Sequence, residues 1–150
     1  MTYIIDFFTN YLLICAFAGW FSAQFIKCVI YIAKHRKFDF ALIMSSGGMP
    51  SSHSATVCAL VMATAKTCGM GSPEFALAFI LAFIVMYDAA GVRRAAGEQA
   101  KVLNRMAREL SDGNTRYLDK NLKELIGHSP LQVTMGALLG FLIPIIIPAF

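Results

Sequence analysis

Apolar residues in this chain gather into four long stretches separated by shorter polar connections. The first runs from about Ile4 to Ala33, the second from near Ser52 to about Thr67, the third from about Pro73 to Gly91, and the fourth from Leu131 to Phe150. A helix that crosses a bilayer needs about 20 predominantly apolar residues. The pattern therefore predicts an all-α integral membrane helical bundle of about four transmembrane helices, forming one domain over residues 1–150. The first stretch is longer than a crossing requires, which predicts a tilted or projecting helix; the second is short. Pro73 suits the first turn of a helix, where a missing N–H loses nothing. Pro144 and Pro148 predict a kink or an end in the fourth stretch.

Arg93 to Gly127 is polar. Within it EQAKVLNRMAREL has helical spacing, with Ala100, Leu103, Ala107 and Leu110 on one face. SDGNTR breaks that helix, and YLDKNLKELIG makes a second short amphipathic one. Such helices are expected along the membrane surface, although a solvated linker would show the same pattern.

Composition agrees with the membrane reading. Hydrophobic residues make up 57% of the chain and charged residues 15%, with mean hydropathy +0.62; a soluble domain carries about a quarter charged residues. The N-terminus, MTYIIDFFTN, lacks a basic n-region and a small-residue cleavage site, so the first stretch reads as a retained span. Cys15, Cys28, Cys58 and Cys68 form no C-x-x-C pair and read as small apolar side chains.

The net charge of +4 matters through its distribution. Lys34, Arg36 and Lys37 follow the first span, and Arg93, Arg94, Lys101, Arg105, Arg108, Arg116, Lys120 and Lys123 follow the third. Basic residues flank spans on the cytoplasmic side. The two basic connections should therefore lie in the cytoplasm and both termini outside.

This topology brings the unusual polar residues to one membrane face. Gln24, Lys27, Tyr31 and Lys34 form a single helical stripe at the end of the first span. The second span begins there after GGMPSSH, the third ends there with YDAAGVRR, and the fourth begins there after GHSP. Lys27 and Asp88 lie inside the boundary, where ionisable residues are functional suspects, though they could simply pair with each other. Two helix N-termini, at Ser51–Ser52–His53 and Ser129–Pro130, aim N–H groups and positive dipole ends at this region. Gly47 and Gly48 allow close backbone approach. Arg93 and Arg94 offer forked donors and Lys27 a point charge; His53 and His128 are of the one residue type that can change charge near neutral pH. An anion site with a nucleophile and an acid needs these residue types. Taken singly, Ser51 or Ser52 could be only N-caps, Ser129–Pro130 only a cap and first-turn proline, the arginines only positive-inside residues, and His35 only part of a solvated loop.

Three blocks, GGMPSSHSA, YDAAGVRRAAGEQAKVLN and LKELIGHSP, resemble in this order the divergent branch of the type 2 phosphatidic acid phosphatase and vanadium haloperoxidase superfamily, as small bacterial membrane proteins. The resemblance runs from Gln24 and Lys27 to Gly140. It implies motifs of the form K-x6-R-P, P-S-G-H and S-R-x5-H-x3-D, in which the last histidine attacks phosphorus, the aspartate orients it, the P-S-G-H histidine protonates the leaving group, and Lys and Arg hold phosphate without a metal. Pro50, Ser51, Ser52 and His53 match P-S-G-H, with serine in place of glycine. Lys27 and Lys34 keep the K-x6 spacing, with lysine for arginine and no proline after it. Arg93 or Arg94 corresponds to the arginine of the third motif, but Gln99 and Ala100 stand where its histidine should be. His128 is the only later histidine, and the fourth residue after it is Gln132 rather than aspartate. Asp88, from another helix, could orient a histidine instead.

Two functions from different classes follow. One is a membrane phosphatase acting on a lipid phosphate at the cytoplasmic leaflet, phosphatidylglycerophosphate being one such lipid. Its expected catalytic residues are His53, His128 and Asp88, and its expected substrate-binding residues are Lys27, Gly48, Ser51, Ser52, Arg93 and Arg94, with no metal and no cofactor. The other is a non-catalytic membrane protein that binds anionic headgroups or a protein partner. Headgroup transfer would need a cluster of acids for a divalent metal, and so small a bundle could form a channel only as an oligomer. The expected partners are the bilayer of the bacterial cytoplasmic membrane, crossed several times, and the lipid phosphate, not nucleic acid. Four spans are few for a complete pocket, which leaves room for a homo-oligomer. Gly136 and Gly140 form G-x-x-x-G, which serves either dimerisation or packing within the chain.

Overall fold

The computed structural model describes residues 2–36, 48–110 and 127–149, apart from the side chains of Arg93, Arg94, Arg108 and Leu110. Among these residues there are six helices and no strand: α1 (Thr2–Phe8), α2 (Tyr11–His35), α3 (Ser52–Thr67), α4 (Pro73–Ala90), α5 (Val92–Leu110) and α6 (Pro130–Ile146). The expected second amphipathic segment, YLDKNLKELIG, lies outside the described residues apart from its last glycine.

The single long first helix expected from Ile4 to Ala33 is instead two. Asn10 takes an extended backbone, and its side chain accepts from the N–H groups of Leu12 and Leu13 at 3.0 and 3.2 Å. An asparagine that caps the following turn starts a helix of its own, so α1 ends at Phe8 and α2 begins at Tyr11. Arg36, in the left-handed region at φ 52°, closes α2 by donating its N–H to the Ile32 carbonyl.

The interior is built from small residues. Helix α3 is central, packed against α2, α4 and α6, and buries Ser52, Ser54, Ala55, Val57, Cys58, Ala59, Val61, Ala63 and Thr64. Helix α2 meets it along Tyr11, Cys15, Gly19, Ala23 and Lys27, four residues apart and all buried. A Cβ on Gly19 would lie 2.8 Å from the Ala55 carbonyl oxygen. On α6, Gly136 and Gly140 face the backbone of Ser51 and of Ala55 with no space for a methyl group. The G-x-x-x-G thus serves close packing inside one chain.

The large apolar residues point outward. Phe17, Phe21 and Phe25 of α2 are 61–63% exposed, Leu77 of α4 is 73% exposed, and Ile146 of α6 is 74% exposed. Small and polar inside, large and apolar outside is the arrangement an apolar solvent favours and water opposes. By length and composition, α2 and the helix beginning at Pro73 could cross a membrane; only 33% and 17% of their apolar windows are buried, unlike core helices of a soluble protein. Helix α6 is a shorter apolar helix. With 16 residues, α3 rises only roughly 24 Å. Since its neighbours enclose it, α3 can carry serines and threonines that a lipid-facing helix would not.

Gly91 alone separates α4 from α5, which carries exposed pairs Lys101–Glu98 (3.0 Å) and Arg105–Glu109 (2.9 Å). Leu103 and Ala107, from the expected apolar stripe, are exposed, while Gly97 and Asn104 are buried.

The opposite end of the bundle is tied by side chains. The carbonyl of Pro144 would normally accept from residue 148, which is a proline without an N–H. Tyr11 Oη instead donates to the Pro144 and Ile147 carbonyls at 3.0 and 2.9 Å, and Lys66 Nζ donates to the same two at 2.9 and 3.3 Å. Tyr11→Phe should lower stability by about 1 kcal/mol, the usual net worth of such a bond. A lowered thermal unfolding midpoint in detergent would show it.

Candidate functional site

The loop that enters α3 is shaped by close contact with α2. Gly48 has φ +94°, a conformation glycine adopts freely, and a Cβ there would sit 3.2 Å from Cγ and Cδ of Lys27. The loop backbone thus lies across the Lys27 stem. Lys27 is 3% exposed, and its Nζ makes no hydrogen bond among the described residues. The pairing with Asp88 that the sequence leaves open is therefore not made through a hydrogen bond. A desolvated ammonium group without an acceptor is costly, so Lys27 is the strongest signal in the site for an anion. Of its stripe, Gln24 and Tyr31 are half-buried, and Lys34 is exposed.

Next along the chain, Ser51 caps α3. Its Oγ, fully buried, accepts from Ser54 N at 3.4 Å and from Ser54 Oγ at 3.1 Å, and its N–H donates to the Gln132 carbonyl at 3.0 Å. Both Oγ contacts are accepted, which leaves the hydroxyl hydrogen to be directed elsewhere. Ser52, 5% exposed, begins the helix proper. The capping role is thus filled by Ser51, and the seryl oxygen the sequence does not single out, that of Ser54, completes the turn.

The two histidines meet. His53 is in the first turn of α3, and His128 lies just before the cap of α6; their ring centroids are 6.3 Å apart at an interplanar angle of 59°. His128 is 3% exposed, and its N–H donates to the carbonyl of Ala89 at 3.1 Å, which ties it to the last turn of α4 beside the half-buried Asp88. Ser129 and Gln132 form a capping box: Ser129 Oγ accepts from Gln132 N at 3.3 Å, and Gln132 Oε1 accepts from Ser129 N at 3.1 Å. Gln132 Oε1 also lies 3.2 Å from His128 Nδ1. This contact was readable in advance only in outline, as S-x-x-Q before an apolar run, with the histidine immediately preceding it.

Arg93 and Arg94 fall in the first turn of α5, one turn beyond Ala89; their side chains lie outside the described residues, as does Gly47. Among the described residues no group of three or more His, Cys, Asp and Glu side chains is arranged to hold a metal ion.

Beside the loop an apolar groove of about 350 Å³ runs between α2 and α6, lined by Ile26, Ile30, Met49, Pro50, Met135, Leu138, Leu139 and Leu142. Met49 and Pro50 belong both to the groove and to the loop that carries Gly48 and Ser51. Leu138 and Leu142 are about half exposed, so the groove opens to the outer, lipid-compatible surface.

The sequence of the chain matches a known family. A sequence model described as the Divergent PAP2 family matches residues 8–143. The chain is 40% identical over 156 residues to YuiD of Bacillus subtilis (strain 168), named as an uncharacterized membrane protein, with 97% of this chain and 99% of that protein covered. No solved structure matches it. With the family match taking in α2, the capped loop, both histidines and most of α6, the chain belongs to the Divergent PAP2 family.

Proposed function

We propose that this protein is a membrane lipid-phosphate phosphatase working at the cytoplasmic leaflet through a histidine-based reaction that needs no metal. The observation that carries the reading is the His53–His128 pair, 6.3 Å between rings, at the capped N-terminus of α3. Reacting contacts span about 3 Å each, so two tilted rings at this separation can both reach one phosphoryl group lying beside them. His128, the histidine that follows Arg93 and Arg94 in the chain, attacks phosphorus as the bond to the lipid oxygen breaks; His53 gives its proton to that departing oxygen. Water then attacks the phosphohistidine and releases phosphate. Lys27, the N-terminus of α3 and Arg93 or Arg94 hold the phosphoryl oxygens, while Gly48 and Ser52 shape the cradle and Ser51 keeps its helix end in place. Positive groups fixed in a low-dielectric site stabilise the charge of the transferring group. Asp88 supports the site from α4. The groove between α2 and α6 supports a lipid over a soluble ester, because it offers an acyl chain an apolar path to the loop.

The direct test is phosphate release from a panel of lipid phosphates by purified protein in detergent with a chelator present. Binding of those lipids without hydrolysis would replace the enzyme with a headgroup-binding protein. Lys27→Met separates function from packing. A methionine keeps the buried apolar stem and removes a desolvated charge, so stability should hold or rise. A lost charge-assisted hydrogen bond should weaken binding of a lipid phosphate by about 10- to 100-fold. Unchanged lipid affinity, measured by titration in detergent, would remove Lys27 from the site.

A further inference from the structure

We propose that Gln132 is a positioning residue that holds the neutral His128 ring as its Nδ1–H tautomer and leaves the lone pair on Nε2. Ser129 N–H can only donate, and it points at the Gln132 side-chain atom 3.1 Å away. That atom must therefore be the amide oxygen, which settles the orientation of the amide independently of the ring. The same oxygen lies 3.2 Å from His128 Nδ1. An oxygen can only accept, so Nδ1 carries the hydrogen, and in a neutral imidazole the other nitrogen then keeps its lone pair.

A helix cap alone would need only the bond to Ser129. The second contact places a neutral amide where the related third motif carries a carboxylate. An amide does part of a carboxylate's work: it selects the tautomer and fixes the ring plane, but brings no charge beside the ring. The residue is held at three points, one of them on the ring: its backbone N–H on Ala89, its Nδ1 on Gln132, and the chain immediately following it in the capped turn. The consequence for catalysis, that Nε2 is the attacking atom, rests on the phosphatase reading; the tautomer does not.

The experiment is nitrogen NMR on protein labelled with 15N-histidine in detergent micelles at a pH where the rings are neutral, with the His128 signals assigned from a His128→Ala sample. The expected wild-type result is a protonated Nδ1 and an unprotonated Nε2 at His128. Gln132→Met should lose that preference, and Gln132→Glu, which keeps an acceptor oxygen, should retain it. Ser129→Ala weakens the same helix cap while leaving the Gln132 oxygen, and should also retain it, which separates positioning from capping. A wild-type spectrum with Nε2 protonated overturns the proposal even if no variant folds, as does an unchanged Nδ1–H signal in Gln132→Met. A phosphatase assay on the same samples keeps the two readings apart. Under the phosphatase reading, Gln132→Met should lower kcat by about 100-fold or more with KM little changed. The expected tautomer in a protein that hydrolyses nothing would sustain the role of Gln132 and remove the enzyme.

Discussion

Gly136→Val is expected to prevent the bundle from assembling. A Cβ at this position would run into the carbonyl oxygen of Ser51 and come within 3.0 Å of Ser54 Cβ and 3.1 Å of the Ser51 carbonyl carbon. Two of these three atoms are backbone, and the residue they belong to is the cap of α3, itself bonded to the Gln132 carbonyl. Neither side can give way without opening the α3–α6 contact. Overpacking of an adaptable core costs about 1–3 kcal/mol; against a fixed backbone the loss should exceed that range and reach the scale of the whole stability of a small domain. The variant should lose its monodisperse peak on size exclusion in detergent, and its cooperative melting. Gly71→Ala is the matched control, because a Cβ there meets nothing within 4 Å. A Gly136→Val protein that melts like wild type would disprove the packing account.

The second large effect concerns chemistry rather than assembly. His53→Ala and His128→Ala should each lower phosphate release from a lipid phosphate by about 100- to 10,000-fold, the range lost with a positioned acid or base, and more where the nucleophile is removed. The double variant should be little worse than the poorer single one, since residues acting as a unit are not additive. Both variants should elute and melt as folded protein. Here the controls differ from the glycine case: the buried apolar clusters around α3 are built without either ring. Full activity in both single variants would end the two-histidine mechanism.

Much of this is legible in the amino-acid sequence. Stretches of about 20 apolar residues announce helices for an apolar solvent, because a buried backbone must bond to itself and a helix does so locally. Ser51 or Ser52, and Ser129, announced helix starts for an equally local reason: the orphan N–H groups of a first turn need an oxygen a few residues away. The break at Asn10 was written in the same language, but its apolar neighbours on both sides hid it.

Gln132 shows where local reading stops. Its place four residues after His128 identified it as a departure from aspartate, but not as the oxygen shared by Ser129 and the ring. The G-x-x-x-G of α6 shows the same boundary. Spacing determines that two glycines share a helix face; which helix that face meets is a matter of how three apolar helices surround a fourth.

The sequence by itself therefore determined the apolar helices apart from the break at Asn10, the serine-capped starts of α3 and α6, the apolar surroundings and the set of polar residues worth suspecting, since each depends on hydrogen bonds and hydropathy within a few turns of chain. Only the tertiary structure decided that α3 is enclosed, that Lys27 lies buried beneath the Gly48 loop, and that the rings of His53 and His128 come within 6.3 Å of each other. Those relations join residues 75 positions apart in the chain for the histidines, numbered 53 and 128, and they follow from close packing of small side chains, which no local pattern encodes.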